Sequence, residues 1–220
     1  MAQANDSVLV TPGSGATIAT HAVAGKEHQV VMIADDSGHI SGSLPTYGLI
    51  TPPIAVGANK LLLDVFNATG SGKVMDIRGA WIIPKLDAAV TGALAARVDM
   101  YRTSAIGTGG TAAVSDSATV DVAGGTFWKF DEANAAIPAG ITARVAPTAG
   151  ATISRWMFPT NAATEESATS MGYLTQWQNL IPMFFYGQKL TVRENTGILF
   201  KQGAVASVGS VSLLLAFTLE

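Results

Sequence analysis

The sequence predicts an all-β protein, a β-sandwich or jelly roll preceded by an extended N-terminal arm or small β-ribbon. Three observations point there. Apolar residues recur at alternate positions in several runs, no segment sustains the i, i+3, i+4 spacing of an amphipathic helix, and long stretches of Gly, Ala, Ser and Thr separate the runs. At 220 residues the chain can bury one core of this kind. Composition places a boundary after residue 58. Residues 1–58 hold few large apolar side chains and turn formers at TPGSG, DDSG, SGS and PP, whereas 59–220 carry the alternating runs.

Taken in order, THAVAGKEHQ reads as a hairpin turning on Ala24-Gly25, which sets His21 opposite His28. Lys60 to Phe66 places Leu61, Leu63 and Val65 on one face. Lys73 to Ile83 places Met75, Ile77, Trp81 and Ile83 on one face, with Asp76 and Arg78 on the other. Pairing Asp64 with Arg78 makes these two runs a hairpin, with Gly70-Ser71-Gly72 as its turn and Gly72 in the left-handed position. In residues 94–102, Leu94, Ala96, Val98 and Met100 point inward, and Arg97, Asp99 and Tyr101 outward. Stretches 103–125 and 159–170 read as long loops or short edge strands, and DEANAAI at 131–137 is the best short helix. Leu190 and Val192 begin a strand, ENTG at 194–197 turns, and ILF follows. Residues 202–219 carry no charge, which raises a membrane span. Yet Val211, Leu213, Leu215, Phe217 and Leu219 alternate, and that is a buried strand.

Composition bounds the function. There is no cysteine, so no disulfide framework or thiolate site is available. A net charge of −3 argues against nucleic acid as a partner, because phosphate-tracking surfaces concentrate Lys and Arg. Charged residues make up 13% of the chain and hydrophobic ones 48%, a balance expected of a surface that meets other chains. The start, MAQANDSVLVTPGSG, has neither the basic opening nor the apolar core of a secretory signal.

Each residue group with chemical potential also has a plainer role. NATGSGKV, Asn67 to Val74, ends in the Gly-Lys pair of a phosphate loop, but the first glycine is Asn67, the hydroxyl position is Val74, and a strand follows in place of a helix. His21 and His28, near Asp35 and Asp36, are a weak candidate metal pair with no third ligand at a fixed spacing; the plainer reading is a cross-strand pair. Glu165 and Glu166 are adjacent and diverge on extended chain, so they make a poor acid–base couple. Trp81 reads as core, whereas Trp128, Trp156 and Trp177 flank loops and could line a sugar groove or an interface. The expectation is a protein without catalysis or cofactor.

GATIATHAVAGKEHQVVMIADDSGHI, from Gly15 to Ile40, resembles a segment near the N-termini of tailed-bacteriophage structural proteins. In those, an AT-x-x-V-x-G opening leads to a His-Gln-like step, a β-branched strand and an Asp-Gly turn. The matching residues are Ala19, Thr20, Val23, Gly25, His28, Gln29, Val30, Ile33, Asp35 and Gly38; Gln29 stands where the relatives commonly have an aromatic. DMYRTSAIGTGGTAA and IPAGITARVAPTAG look like the sandwich portion of such proteins. The resemblance implies a decoration or cement protein on the capsid exterior, a homotrimer whose arm grips the major capsid protein. Thr20, Val23, His28, Val30 and Ile33 are the expected contact residues. The alternative is a receptor-binding or tail-associated module that takes glycan on its loop tryptophans. A membrane partner is not expected.

Overall fold

A computed structural model describes residues 18–23, 26–31, 44–85, 95–117, 122–148, 152–164, 178–179 and 190–220, with backbone alone for 18–23, 26–31, 163 and 178–179. The chain divides into two units, Met1–Leu44 and Pro45–Glu220. The first contains β1 (Ile18–Val23) and β2 (Lys26–Val31), an antiparallel pair in which His21 lies opposite His28, in the expected register.

The second unit opens with β3 (Thr46–Ile50), β4 (Ile54–Ala55), β5 (Leu61–Asn67), β6 (Met75–Pro84) and β7 (Ala95–Ala105). Short β8 (Thr111–Ala112) and β9 (Val114–Ser115) lead to β10 (Thr126–Lys129), β11 (Ile141–Val145) and the long β12 (Thr152–Ala163). It closes with β13 (Gln178–Asn179), β14 (Leu190–Val192), β15 (Thr196–Gln202) and β16 (Ser210–Leu219). Residues 45–58, expected with the arm, therefore belong to the second unit, where β3 and β4 both pair with β16.

These strands form two sheets packed face to face, a β-sandwich. One runs β13-β6-β16-β3-β10-β9, with β14 also on β6 and β4 on β16; the other runs β12-β7-β15-β5-β11-β8. Between them lies one apolar core, in which Leu49, Leu63, Val65, Ile82, Phe200, Leu213, Leu215 and Phe217 are fully buried. Each such side chain contributes about 1.5–3 kcal/mol by leaving water. Phe217 stacks on Tyr47 at 5.7 Å and meets Phe127 edge-on at 6.2 Å. The Tyr47 hydroxyl escapes this apolar site by donating to the Ala135 carbonyl at 3.0 Å.

Strand β16 shows why the alternation was readable: its five alternate residues from Val211 to Leu219 all point into the core. Its neighbour β6 breaks the alternation with a bulge. Ala216 pairs with Gly79 but Phe217 pairs with Ile77, so Arg78 is an extra residue and the inward set becomes Met75, Ile77, Ala80 and Ile82. Trp81 and Ile83, expected inward, thus stand on the outer face. The expected hairpin of β5 with β6 is also absent. β5 pairs with β11 and β15, and β6 with β13, β14 and β16, so residues 68–74 cross from one sheet to the other. DEANAAI forms no helix: Asp131 closes a turn, accepting the Ala133 N–H on its side chain and the Asn134 N–H on its carbonyl.

Candidate functional site

The crossing that contains NATGSGKV is a sealed structural corner. Gly70 and Gly72 adopt φ of +84° and +65°, values open to glycine at little cost. Asn67 is buried, and its Nδ2 donates to the carbonyls of Lys73 at 2.8 Å and Val192 at 3.3 Å. The second crossing, at residues 193–195 between β14 and β15, lies against the first. The Asn195 N–H donates to the Asn67 carbonyl at 2.7 Å, and the Thr69 hydroxyl donates to Asn195 Oδ1. Most telling is Glu194, whose Oε1 accepts the Gly72 N–H at 2.8 Å and the Ser71 hydroxyl at 3.3 Å. An amide that would face a phosphate in a nucleotide loop here holds the chain's own carboxylate.

The expected partner-contact residues Thr20 and Val23 lie on β1, and His28 and Val30 on β2. Ile33 lies outside the described residues, as do Asp35, Asp36, Glu165, Glu166 and Trp177. His21 and His28 are brought opposite by the backbone register, which is as far as the description of that pair extends.

The tryptophans separate into two kinds. Trp81 and Trp128 lie flat on the outer face of the larger sheet, each over a glycine. A Cβ on Gly79 would sit 2.1 Å from Trp81 Cη2, and one on Gly48 would sit 2.2 Å from Trp128 Cζ2. Trp128 is the cross-strand neighbour of Gly48, and its ring also meets Phe130 at 5.8 Å. Trp156 differs: it lies on β12, an edge strand with β7 on one side among the described residues, and is 50% exposed.

Around Trp156 a small polar network is assembled. Asp99 Oδ1 accepts the indole N–H at 3.1 Å and the Arg97 guanidinium at 2.8 and 2.9 Å. Burial, and then the Asp99 charge, push the neighbouring Tyr101 hydroxyl above its ordinary pKa. Beside this network Arg97, Asp99, Gly203, Ala204 and Val205 line a cleft of about 220 Å³, with Val205 76% exposed. An exposed indole edge beside a fixed acid–arginine pair can bind an apolar and a polar group together. Asp99 and Arg97 were legible as an outward pair on β7; their union with Trp156 depends on the register of β12, which local sequence does not encode.

Among the described residues no group of three or more His, Asp and Glu could hold a metal ion, and no helix is long and apolar enough to cross a membrane. Comparison with family models, with curated proteins and with solved structures finds no match to this chain.

Proposed function

We propose that this chain is a structural virion protein of the tailed-phage type, a jelly-roll decoration or cement protein on the capsid exterior. The observation that carries the reading is the division of the chain. Strands β1 and β2 form a two-stranded ribbon in a unit apart from the sandwich, with no third strand among the described residues. A hairpin of two strands is marginal in water by itself, so a ribbon of this kind is best held by a partner. The resemblance of residues 15–40 to phage structural proteins supplies the partner's class, a major capsid protein.

The mechanism is mechanical. The ribbon adds to the capsid surface through backbone pairing and the contacts of Thr20, Val23, His28 and Val30, and the sandwich assembles as a homotrimer. Three arms on one body raise occupancy by effective concentration even when each contact is weak. Strand β12, 12 residues long and carrying half-exposed Ile153 and Trp156, is the sandwich edge most suited to a neighbouring copy. Co-sedimentation with expanded capsids tests the proposal: the full chain binds to saturation and a 45–220 fragment does not. Full occupancy by the fragment would refute the arm mechanism.

A second reading rests on Trp156 and its Asp99–Arg97 support, which fit a receptor-binding or tail-associated glycan module. Binding of host-surface polysaccharide by purified protein, abolished by Trp156→Ala, would favour it over the first.

A further inference from the structure

One end of the sandwich gathers three arginines around a cleft of about 310 Å³, at the lower end of the roughly 300–1,000 Å³ of small-ligand pockets. Arg102 comes from β7, Arg155 from β12 and Arg193 directly follows β14; Ser154, Thr191 and Thr196 add hydroxyl-bearing side chains to the wall. Among the described residues no carboxylate lines the cleft and none of the three arginines forms an ion pair. The nearby acids are held by other donors, one of which, Thr191, belongs to the cleft wall. Glu194, next to Arg193, accepts from Gly72 and Ser71, and Asp76 accepts the Thr191 hydroxyl at 2.7 Å.

The backbone builds this concentration of charge. Arg102 and Arg155 are cross-strand partners, and like charges directly opposite on a sheet repel. The β7–β12 ladder is irregular at this point: Ile153 pairs with Thr103 and Arg155 with Arg102, so Ser154 is an extra residue that lines the cleft. Arg102 is anchored by donating to the Thr191 carbonyl. Burial, and then the Arg155 charge, push its guanidinium below the ordinary value, as expected when no anion compensates it.

We propose that this cleft is a binding site for a tetrahedral oxyanion, phosphate or sulfate, either free or as the monoester of a larger molecule. Guanidinium forks match the oxygens of such a group, and Ser154, which lines the cleft, carries a hydroxyl that can supply a further donor. The anion neutralises the Arg102–Arg155 repulsion, so binding raises the stability of the sandwich.

The test is thermal unfolding of the full chain at constant ionic strength, titrated with inorganic phosphate, sulfate or chloride. Phosphate and sulfate are expected to raise Tm saturably, and chloride is not. Arg155→Gln is expected to raise Tm in chloride, because it removes the like charge, and to weaken the phosphate response at least tenfold. Arg193→Gln, at an exposed position, is expected to weaken that response without altering the fold. Arg144→Gln, outside the cleft, leaves the response intact. Glycerol 3-phosphate distinguishes the sources: binding tighter than phosphate identifies an ester ligand, and weaker binding identifies the free ion. Equal responses to phosphate and chloride would overturn the proposal, as would an undiminished phosphate response in both Arg155→Gln and Arg193→Gln.

Discussion

Across the outer face of the larger sheet runs a row of small residues, Gly79, Ala216 and Gly48, ending at Trp128. The corresponding row across the smaller sheet is Tyr101, Leu199, Asp64 and Arg144. In the first, missing side chains leave room for indole rings to lie flat, so an outer face is covered without a third layer. In the second, a carboxylate has been taken fully out of water. Asp64 keeps the Gly107 N–H at 2.6 Å, but its other oxygen has no partner. The first row therefore depends on shape, and the second carries an electrostatic cost that pH can reveal.

The largest expected effect comes from Asp64. Burial raises its pKa from 3.8 to about 6, against the opposing Gly107 hydrogen bond and Arg144 charge. Because the folded value lies above the unfolded one, the folded state binds the extra proton, and stability falls as pH rises from about 4 to about 6. At about 1.36 kcal/mol per pH unit the loss reaches up to about 3 kcal/mol. Asp64→Asn keeps a carbonyl for Gly107 and is expected to flatten that slope and to stabilise the protein above pH 6. Denaturant unfolding across pH reads both; an unchanged slope would show that Asp64 is not the group responsible.

Next in size is Gly48→Ala. Its Cβ would enter the Trp128 ring, which must swing off the sheet at a cost of roughly 1–3 kcal/mol. Gly57→Ala is the control: a Cβ there meets nothing within 4 Å, and the change is expected to stay within about 0.5 kcal/mol. Tryptophan fluorescence should shift to the red in the first variant and stay unchanged in the second. Smallest is Glu194→Ala, which frees the Gly72 N–H and Ser71 hydroxyl at the corner joining the two sheets. The expected loss is about 1 kcal/mol, a fall in Tm of roughly 2–4 °C. A larger fall would mean that the corner, more than either outer face, governs stability.

These regions also show where sequence reasoning stops. β16 was readable because one unbroken period of two runs its length, and the same period was readable in β6 as far as Ile77. One extra residue at Arg78 then reversed the faces of Trp81 and Ile83, and nothing local announces a bulge there. The glycines of NATGSGKV signalled their turn correctly, and Gly72 has the expected left-handed φ. Their partner, Glu194, lies 122 residues away, so the turn was mistaken for a hairpin when it joins two sheets. Period two tells which face of a strand is buried, but not which strand lies beside it. For the same reason the arginine cleft was invisible: Arg102, Arg155 and Arg193 meet through the β7–β12 register and the end of β14. Turn-forming composition at 45–58 hid two short strands that pair with β16.

The central claim, a sandwich that joins a capsid through a separate N-terminal ribbon, is tested most directly by a map of the intact particle carrying this protein. The account predicts threefold sandwich density on the capsid exterior, with a ribbon of density from each copy lying across a neighbouring capsid subunit. Sandwich density at the tail, or on the capsid with the ribbon folded away from the shell, would contradict it.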